Sequence, residues 1–520
     1  MTPANRIILN TLATYGQSLF SLFVSLFSAR WILEGLGQVD MGLFGLVGSL
    51  IALITFLNGG LAISTSRFYA YSIGQGEKNP TTGINDELQG WFNSAFSLYL
   101  ILPVIFVVIG WPVGEYIIHN YLNIPPDRLG ACSVVFRLSL LNLFVQLSSV
   151  PFLAMYAAHQ QFGSLSLFAI LRSILNLIAA YIILHIQSDR LVAFSICMVA
   201  SDVSLQLIQV ARASTIFPEC RPSLALMYNK PKLRRFFAYS GWKLFGASCV
   251  AFRDQGSPMI INLMFGPAMN ATYTIANRLS VQANTLSDAL SRAFSPGLFA
   301  AEGRGDREGM LKMAMQVCRY GSLLVLLFSI PLILEAEMVL KLWLRNPPAY
   351  CAEICQYLLI ILIADRMTTG PMLAVNAYGK IAAYEIVQGT AIILTLPLMW
   401  LFARNGIGPT AIGLALLFSS IIYFIGRLVF CRILLGFSIV GWCREVFLPL
   451  SLVMIPSTML GILTKAHIAP GLLQILLTSS IVVSSLLALS FFFVLKPLER
   501  KRAAQWIYRG LSGRKLETGS

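Results

Sequence analysis

The sequence predicts an all-α polytopic membrane protein of about fourteen transmembrane helices, and three observations predict it. Of its 520 residues 57% are hydrophobic and 12% charged, with a mean hydropathy of +0.73. A soluble chain carries about 25% charged residues, so half of the usual solvating charge is missing. Largely apolar runs of about 20 residues, the length that spans a bilayer, recur along the whole chain. The connections between them are short, so no sizeable soluble domain is inserted.

Taken in order, the uncharged runs 7–29, 41–66, 91–114, 405–426, 446–464 and 468–495 each read as a span. The segments 131–157, 164–186, 190–212, 240–265, 270–297, 313–335, 352–377 and 385–403 also read as spans once interior charges are allowed. The first run is of spanning length and no small-residue cleavage site follows it, so it reads as a helix rather than a removable signal.

An even number of spans puts both termini on one side. Of the 38 Lys and Arg residues, 24 fall on the face that carries the termini and 8 on the opposite face, leaving 6 within spans. The positive-inside rule makes the basic face cytoplasmic, and Trp31, Trp91, Trp242, Trp400 and Trp442 fall at predicted helix ends, where aromatic belts form. The net charge of +15 is then chiefly a topology signal, and nucleic-acid binding becomes unnecessary. Two basic, partly amphipathic stretches, 221–243 and 496–520, read as anchors lying along lipid headgroups.

Three local matches recur in order at nearly one offset. Leu36-Gly37 with Gly42-Leu43-Phe44 matches Phe265-Gly266 with Ala271-Thr272-Tyr273, 229 residues on. Ser66-Arg67 with Gly76-Glu77 matches Ser291-Arg292 with Gly305-Asp306, the arginines 225 apart. Pro151-Phe152-Leu153-Ala154-Met155 matches Pro371-Met372-Leu373-Ala374-Val375, 220 apart. The chain thus reads as two six-helix lobes of like topology, 1–213 and 240–435, joined by a basic cytoplasmic linker, 214–239. Two further helices (436–495) and the basic tail (496–520) follow. A repeat of this kind suits a transporter with a site between two rocking lobes.

The arginines within spans are Arg67, Arg172, Arg253, Arg278, Arg292 and Arg366. A charge at a helix centre costs about 2.5–3.5 kcal/mol on insertion scales. Arg67 and Arg292 lie near helix ends and can snorkel; Arg253, about thirteen residues or ~20 Å into its helix, is too deep to do so easily. Asp254, Asp288 and Asp365 stand near enough in sequence to pair with them, so two readings stay open: interhelical ion pairs, or a water-filled cationic cavity. The eighth predicted helix tilts toward the cavity. It carries Thr274, Asn277, Arg278, Ser280, Gln282, Asn284, Thr285, Ser287, Asp288, Ser291 and Arg292, too polar for a lipid-facing helix. Arg278, Gln282, Thr285 and Arg292 share one helical face, which suits an anionic, hydroxyl-rich ligand.

A milder stripe runs along the first helix through Thr11, Thr14, Ser18, Ser21, Ser25 and Ser28; small hydroxyls at this spacing allow close helix packing or offer a cavity wall. Pro258, Pro331, Pro371, Pro397 and Pro456 lie inside spans and are candidate bends. Other chemistry is thin. The four histidines have no ligand spacing, Cys351 and Cys355 read as a structural thiol pair, and no Gly-Lys-Ser/Thr phosphate loop, serine-nucleophile or zinc-protease signature is present.

Several segments resemble the Wzx-type O-antigen flippases of the multidrug/oligosaccharidyl-lipid/polysaccharide (MOP) exporter superfamily. They are Arg6 with Asn10-Thr11-Leu12, the run from Ser28-Ala29-Arg30-Trp31 to Gly37, Gly42-Leu43-Phe44, Phe56-Leu57-Asn58, and Ser66-Arg67-Phe68 with Gly74-Gln75-Gly76. The resemblance spans the chain in hydropathy and repeat, and its motifs concentrate in the first ~80 residues. It implies a MATE/MOP-like fold, two six-helix lobes about a V-shaped cavity with two C-terminal helices alongside. It also implies a bacterial inner-membrane location and flipping of undecaprenyl-diphosphate-linked oligosaccharide to the periplasmic leaflet for surface-polysaccharide biosynthesis. Polysaccharide polymerase machinery is then a candidate partner. By position Arg253, Arg278 and Arg292, then Arg30 and Arg67, would hold the diphosphate and acidic sugars, with Gln282 and Thr285 beside them. Proton or sodium coupling is usual in the superfamily, and Asp202, Asp254, Asp288 and Asp365 are the candidate carboxylates; no other cofactor and no metal is implied. Alanine at Arg253 and Arg278 is expected to abolish export and lysine to retain part of it. Two alternatives stand beside this reading: a cation-coupled multidrug exporter of the same superfamily, and a membrane glycan polymerase or glycosyltransferase, disfavoured by the short external loops.

Overall fold

A computed structural model describes residues 3–78, 84–120, 122, 124–223, 229–344, 347–497 and 499–500. Among these every regular element is helical and no strand occurs. Among the described residues nine helices are long and apolar enough to cross a membrane, or ten if a bent pair counts as one span. The other predicted spans are the two legs of the first helix and two helices whose polar residues depress their hydropathy.

Helix α1 (Pro3–Lys78) breaks at Gly37, whose φ of 75° is one that L side chains rarely adopt, and so forms two spans. There follow α2 (Ile84–Asn120), α3 (Leu129–Ala158), α4 (Phe162–Ile182) and α5 (Arg190–Ile216). Helix α6 (Lys230–Phe265) is continuous, so the part of the expected headgroup anchor beyond residue 229 is a helical extension of the seventh span. Helices α7 (Pro267–Arg304), α8 (Arg307–Leu334) and the short α9 (Ala336–Leu344) come next. Two expected spans are each divided in two: α10 (Cys351–Met367) and α11 (Thr369–Tyr378), then α12 (Ala382–Ile393) and α13 (Thr395–Arg404). The span expected at 405–426 lies instead at α14 (Ala411–Leu435). Gly406 and Gly408 both have positive φ, which delays the helix start, and its basic end continues past Arg427 because that side chain is neutralised. Helix α15 (Ile439–Trp442) runs through a π-helical turn into α16 (Leu448–His467), and α17 (Leu472–Phe493) follows. Of the expected anchors, residues 224–228 and 501–520 lie outside the described residues.

The chain divides into two compact units that cut across the sequence halves. The first comprises Met1–Ala251, Arg292–Met310 and Ala374–Gly389. Within it the hydroxyl stripe of α1 meets α4, where the Ser21 and Ser173 hydroxyls hydrogen-bond at 2.8 Å; Thr11's side chain lies outside the described residues. At the end opposite the termini, Arg128 bridges Asp40 at 2.9 Å and Asp189 at 3.1 Å, tying α1 to the starts of α3 and α5.

The second unit comprises Phe252–Ser291, Leu311–Leu373 and Thr390–Ser520. Its α10–α11 pair bends by 46°. Pro371 explains the bend: lacking an N–H, it leaves the carbonyl four residues back without a helical partner. That carbonyl, of Met367, accepts a hydrogen bond from the Trp442 indole Nε1 at 3.1 Å. Beside the bend, a Cβ on Gly370 would lie 2.0 Å from the Ala314 carbonyl oxygen, so only glycine lets α11 approach α8 this closely. Gly370→Ala is therefore expected to lower stability by about 1–3 kcal/mol, the usual cost of overpacking, seen as a lower unfolding midpoint of the detergent-solubilised protein; an unchanged midpoint would refute the tight fit.

Candidate functional site

The internal repeat is visible in the backbone. Gly37 (φ 75°) and Gly266 (φ 83°), 229 residues apart, make equivalent left-handed breaks between consecutive spans. At the other end of the same helices Gly74 and Gly303, also 229 apart, make equivalent close contacts. Since both helices run unbroken between these marks, the register is 229 throughout, and Ser66 corresponds to Ser295. The match of Ser66-Arg67 with Ser291-Arg292 at 225 is thus one helical turn out of register, and Arg292 is not the structural counterpart of Arg67.

The arginines within spans separate into two groups. Arg172 pairs with Asp202 at 3.1 Å, and Asp202 also accepts from Asn142 Nδ2. Arg253 donates through Nε (3.0 Å) and Nη2 (2.8 Å) to one oxygen of Asp254. Arg366 reaches Asp288 at 2.8 Å and Asp365 at 3.2 Å, and Arg427 reaches the other Asp365 oxygen at 2.7 Å. Arg67 is buried against backbone carbonyls. Each of the four candidate carboxylates therefore sits in an arginine ion pair. Arg278 and Arg292 are different: both are solvent-exposed and neither forms an ion pair among the described residues. The Arg30 side chain lies outside the described residues.

Helix α7 accounts for the exposure of this second group. Thr274, Asn277, Arg278, Val281 and Gln282 are all exposed at helical steps of three and four, Thr285 and Asp288 continue the same line half-buried, and Arg292 ends it exposed. The opposite face, with Tyr273, Ala276, Ala283, Ser287 and Leu290, is buried. The hydroxyls of Thr274 and Thr285 donate to carbonyls one turn back, which leaves their lone pairs available and the arginines as the strongest donors on the face. Arg278 and Arg292 are fourteen residues apart, ~21 Å along the axis at 1.5 Å per residue. That is two-thirds of a hydrocarbon core of ~30 Å. Both cannot grip one phosphate together, but they can hold an anionic headgroup at two depths, with Gln282 and Thr285 between.

Arg427, Lys243 and Glu385 are among the ion-paired residues that escaped the sequence reading. Arg427 counts there as a topology charge, yet it is buried on Asp365, the Asp365 carbonyl and Thr368 Oγ1. Lys243 and Glu385 form a half-buried pair at 2.5 Å. For Arg427 the available signal was its place inside an otherwise apolar run, 417–431.

No protein-family model and no curated protein matches the chain in sequence. Solved structures do match in fold. A MATE protein in a bent conformation aligns with TM-score 0.73 at 15% identity, covering 84% of this chain and 96% of its own. An outward-facing multidrug resistance MATE family transporter of the MOP superfamily aligns with TM-score 0.69 at 14% identity over 84% and 96%. A MOP superfamily transporter from Pyrococcus furiosus, described as having a binding pocket of reverse polarity that suggests a different function, aligns with TM-score 0.63 at 16% identity over 82% and 93%. The chain thus has the fold of the MATE and MOP transporters. Its apolar helices make it a multi-pass membrane protein.

Proposed function

We propose that this protein is a transporter of the bacterial inner membrane, with cytoplasmic termini, that flips undecaprenyl-diphosphate-linked oligosaccharide toward the periplasm by alternating access. The observation that carries the reading is the pair Arg278 and Arg292, exposed on one polar face of α7 and without ion pairs among the described residues. An arginine facing lipid would be strongly unfavourable, so such a face lines water or an anionic ligand. Spaced ~21 Å apart, the two guanidiniums offer successive holds to a diphosphate crossing the bilayer, while Gln282 and Thr285 offer hydrogen bonds to sugar hydroxyls. Arginine favours phosphate because its planar fork bonds two oxygens at once.

The fold is equally that of multidrug exporters, whose cationic substrates call for unpaired acids. Here Asp202, Asp254, Asp288 and Asp365 are all engaged by arginine, which favours the anionic substrate. The reverse polarity ascribed to the Pyrococcus furiosus neighbour's pocket is in keeping with a departure from cation transport on this fold. Of the four acids Asp254 is the most accessible to a coupling proton, since its side chain is half exposed and held only by the adjacent Arg253.

The test is reconstitution in proteoliposomes with a fluorescent undecaprenyl-diphosphate oligosaccharide, whose leaflet is read by quenching or lectin binding. Transbilayer movement well above protein-free vesicles is expected, with no uptake of cationic dyes. Dye transport without glycolipid movement would overturn the reading in favour of the multidrug exporter.

A further inference from the structure

We propose that Arg67 is the latch of a cytoplasmic gate whose jaws are two repeat-related helix ends, residues 71–74 of α1 and 300–303 of α7. The inference rests on the transporter reading and on its orientation, and it concerns residues that lie within one compact unit.

The jaws meet backbone to backbone. A Cβ on Gly74 would lie 1.9 Å from the Ala300 carbonyl oxygen, and one on Gly303 would lie 2.1 Å from the Tyr71 carbonyl oxygen. Tyr71 and Ala300 are related by the same 229-residue offset as Gly74 and Gly303. Each half therefore presents a glycine to the other half's carbonyl, the self-complementary pattern of a two-fold contact. At both glycines the closest approach is backbone on backbone, which lets the contact part and re-form as a unit. Arg304 and Glu77, paired at 2.6 Å, close its outer edge.

Arg67 lies one turn along α1 from this contact and ties α1 to the end of α11, whose Tyr378 ring lies 5.0 Å from Arg307, the residue that opens α8 just beyond the α7 jaw. Its Nε donates to the Asn376 carbonyl at 2.7 Å and its Nη2 to the Ala377 carbonyl at 2.9 Å. These carbonyls belong to the last turn of α11, where helical acceptors are left over and a cation is favoured. Gly379 (φ 91°) ends that turn, and a Cβ there would lie 2.0 Å from Arg67 Nη2. Tyr239 donates its hydroxyl to the same Asn376 carbonyl at 3.2 Å and lays its ring 4.5 Å from the guanidinium, with Phe68 at 5.1 Å on another side. Arg67 thus bonds residues more than 300 positions away in the other sequence half.

The chemistry of the latch suits reversal. Arg67 forms no ion pair within 4 Å among the described residues; carbonyl dipoles and ring faces hold it, and Glu302, the carboxylate whose charge reaches it, is itself paired with Arg307 at 2.7 Å. Withdrawing it into water strands no carboxylate, because Glu302 keeps Arg307, whereas separating Asp365 from Arg366 and Arg427 would strand one. The first is a joint that can open, the second a joint that stays shut.

The gate is tested by cross-linking in membranes, which requires no substrate. Glu77→Cys with Arg304→Cys is introduced into the full chain, with each single variant as control for the native cysteines. A protease site in the 214–239 linker separates the halves on a gel unless they are cross-linked. Rapid cross-linking is expected with Arg67 in place, slower by roughly tenfold in Arg67→Ala and in Gly74→Ala, and intermediate in Arg67→Lys, which reaches one carbonyl instead of two. Cross-linked protein should lose glycolipid flipping and regain it on reduction. Unchanged cross-linking in Gly74→Ala and Arg67→Lys, or full flipping by the cross-linked protein, overturns the gate; Gly74→Ala and Arg67→Lys decide the matter if Arg67→Ala does not accumulate. If cross-linking follows the expected order while no glycolipid moves, the gate stands and the substrate reading fails.

Discussion

Replacing Arg278 and Arg292 together with alanine is expected to reduce glycolipid flipping to the level of protein-free vesicles while leaving the protein folded. Each guanidinium is exposed on α7 without an ion pair among the described residues, so its removal strands no buried partner there. The stability change should stay within about 0.5 kcal/mol, as for other surface substitutions. A charge-assisted hydrogen bond to phosphate is worth about 1.5–3 kcal/mol, or roughly ten- to a hundredfold for each arginine. Lysine at both positions retains the charge and loses the fork, so partial activity is expected. Two measurements check this: the flipping rate in proteoliposomes and surface-glycan display in a strain lacking its own flippase. Wild-type flipping by a stably folded double-alanine variant would sink the substrate face. Arg253 ranks lower in the structure than in the sequence, because Asp254 already occupies its Nε and Nη2. Arg253→Ala is thus expected to cost less than Arg278→Ala in the same assay.

Asp365→Ala should destabilise the fold more than any other single substitution among the intramembrane charges. Asp365 holds Arg427 at 2.7 Å and Arg366 at 3.2 Å, and both arginines are largely buried. Its removal takes the carboxylate from Arg427 and leaves Arg366 with Asp288 alone, and about 3–5 kcal/mol is the usual loss when one partner of a buried pair is removed. Asparagine keeps an acceptor and should fall between alanine and wild type. Adding Arg427→Met to Asp365→Ala removes the stranded charge, so part of the lost stability should return, because a well-packed apolar replacement of a buried ion pair is often near neutral. The unfolding midpoint in detergent measures all three. A wild-type midpoint for Asp365→Ala would show that the network is not a structural joint.

Much of the fold was legible along the chain. The spans 131–157 and 190–212 end within four residues of α3 and α5 at either side, since a hydropathy run needs no knowledge of its neighbours. Gly37 and Gly266 were legible as repeat marks, and each is a break at positive φ, where a side chain would be strained. The middle mark was misread. Ser-Arg recurs at 225 and the helices keep register at 229, and two residues are too few to tell a shared position from a chance recurrence one turn away. The late start of α14 was missed because residues 405–410 are as uncharged as the helix that follows them.

The candidate site was legible in part. The polar stripe of α7, with Arg278, Gln282, Thr285 and Arg292 on one face, follows from helical spacing alone. Which arginines carry free charge does not. Arg366 finds Asp288 from 78 positions away, Arg427 finds Asp365 from 62, and Arg67 finds carbonyls from 309 and 310. The sequence by itself determined that this is a multi-spanning, internally repeated, all-helical protein with excess positive charge, because hydropathy and backbone freedom are properties of single segments. Only the tertiary structure decided which charges are neutralised and which are exposed, because a charge is neutralised by whatever packing brings within about 4 Å of it, and for Arg172, Arg366 and Arg427 that neighbour lies on another helix.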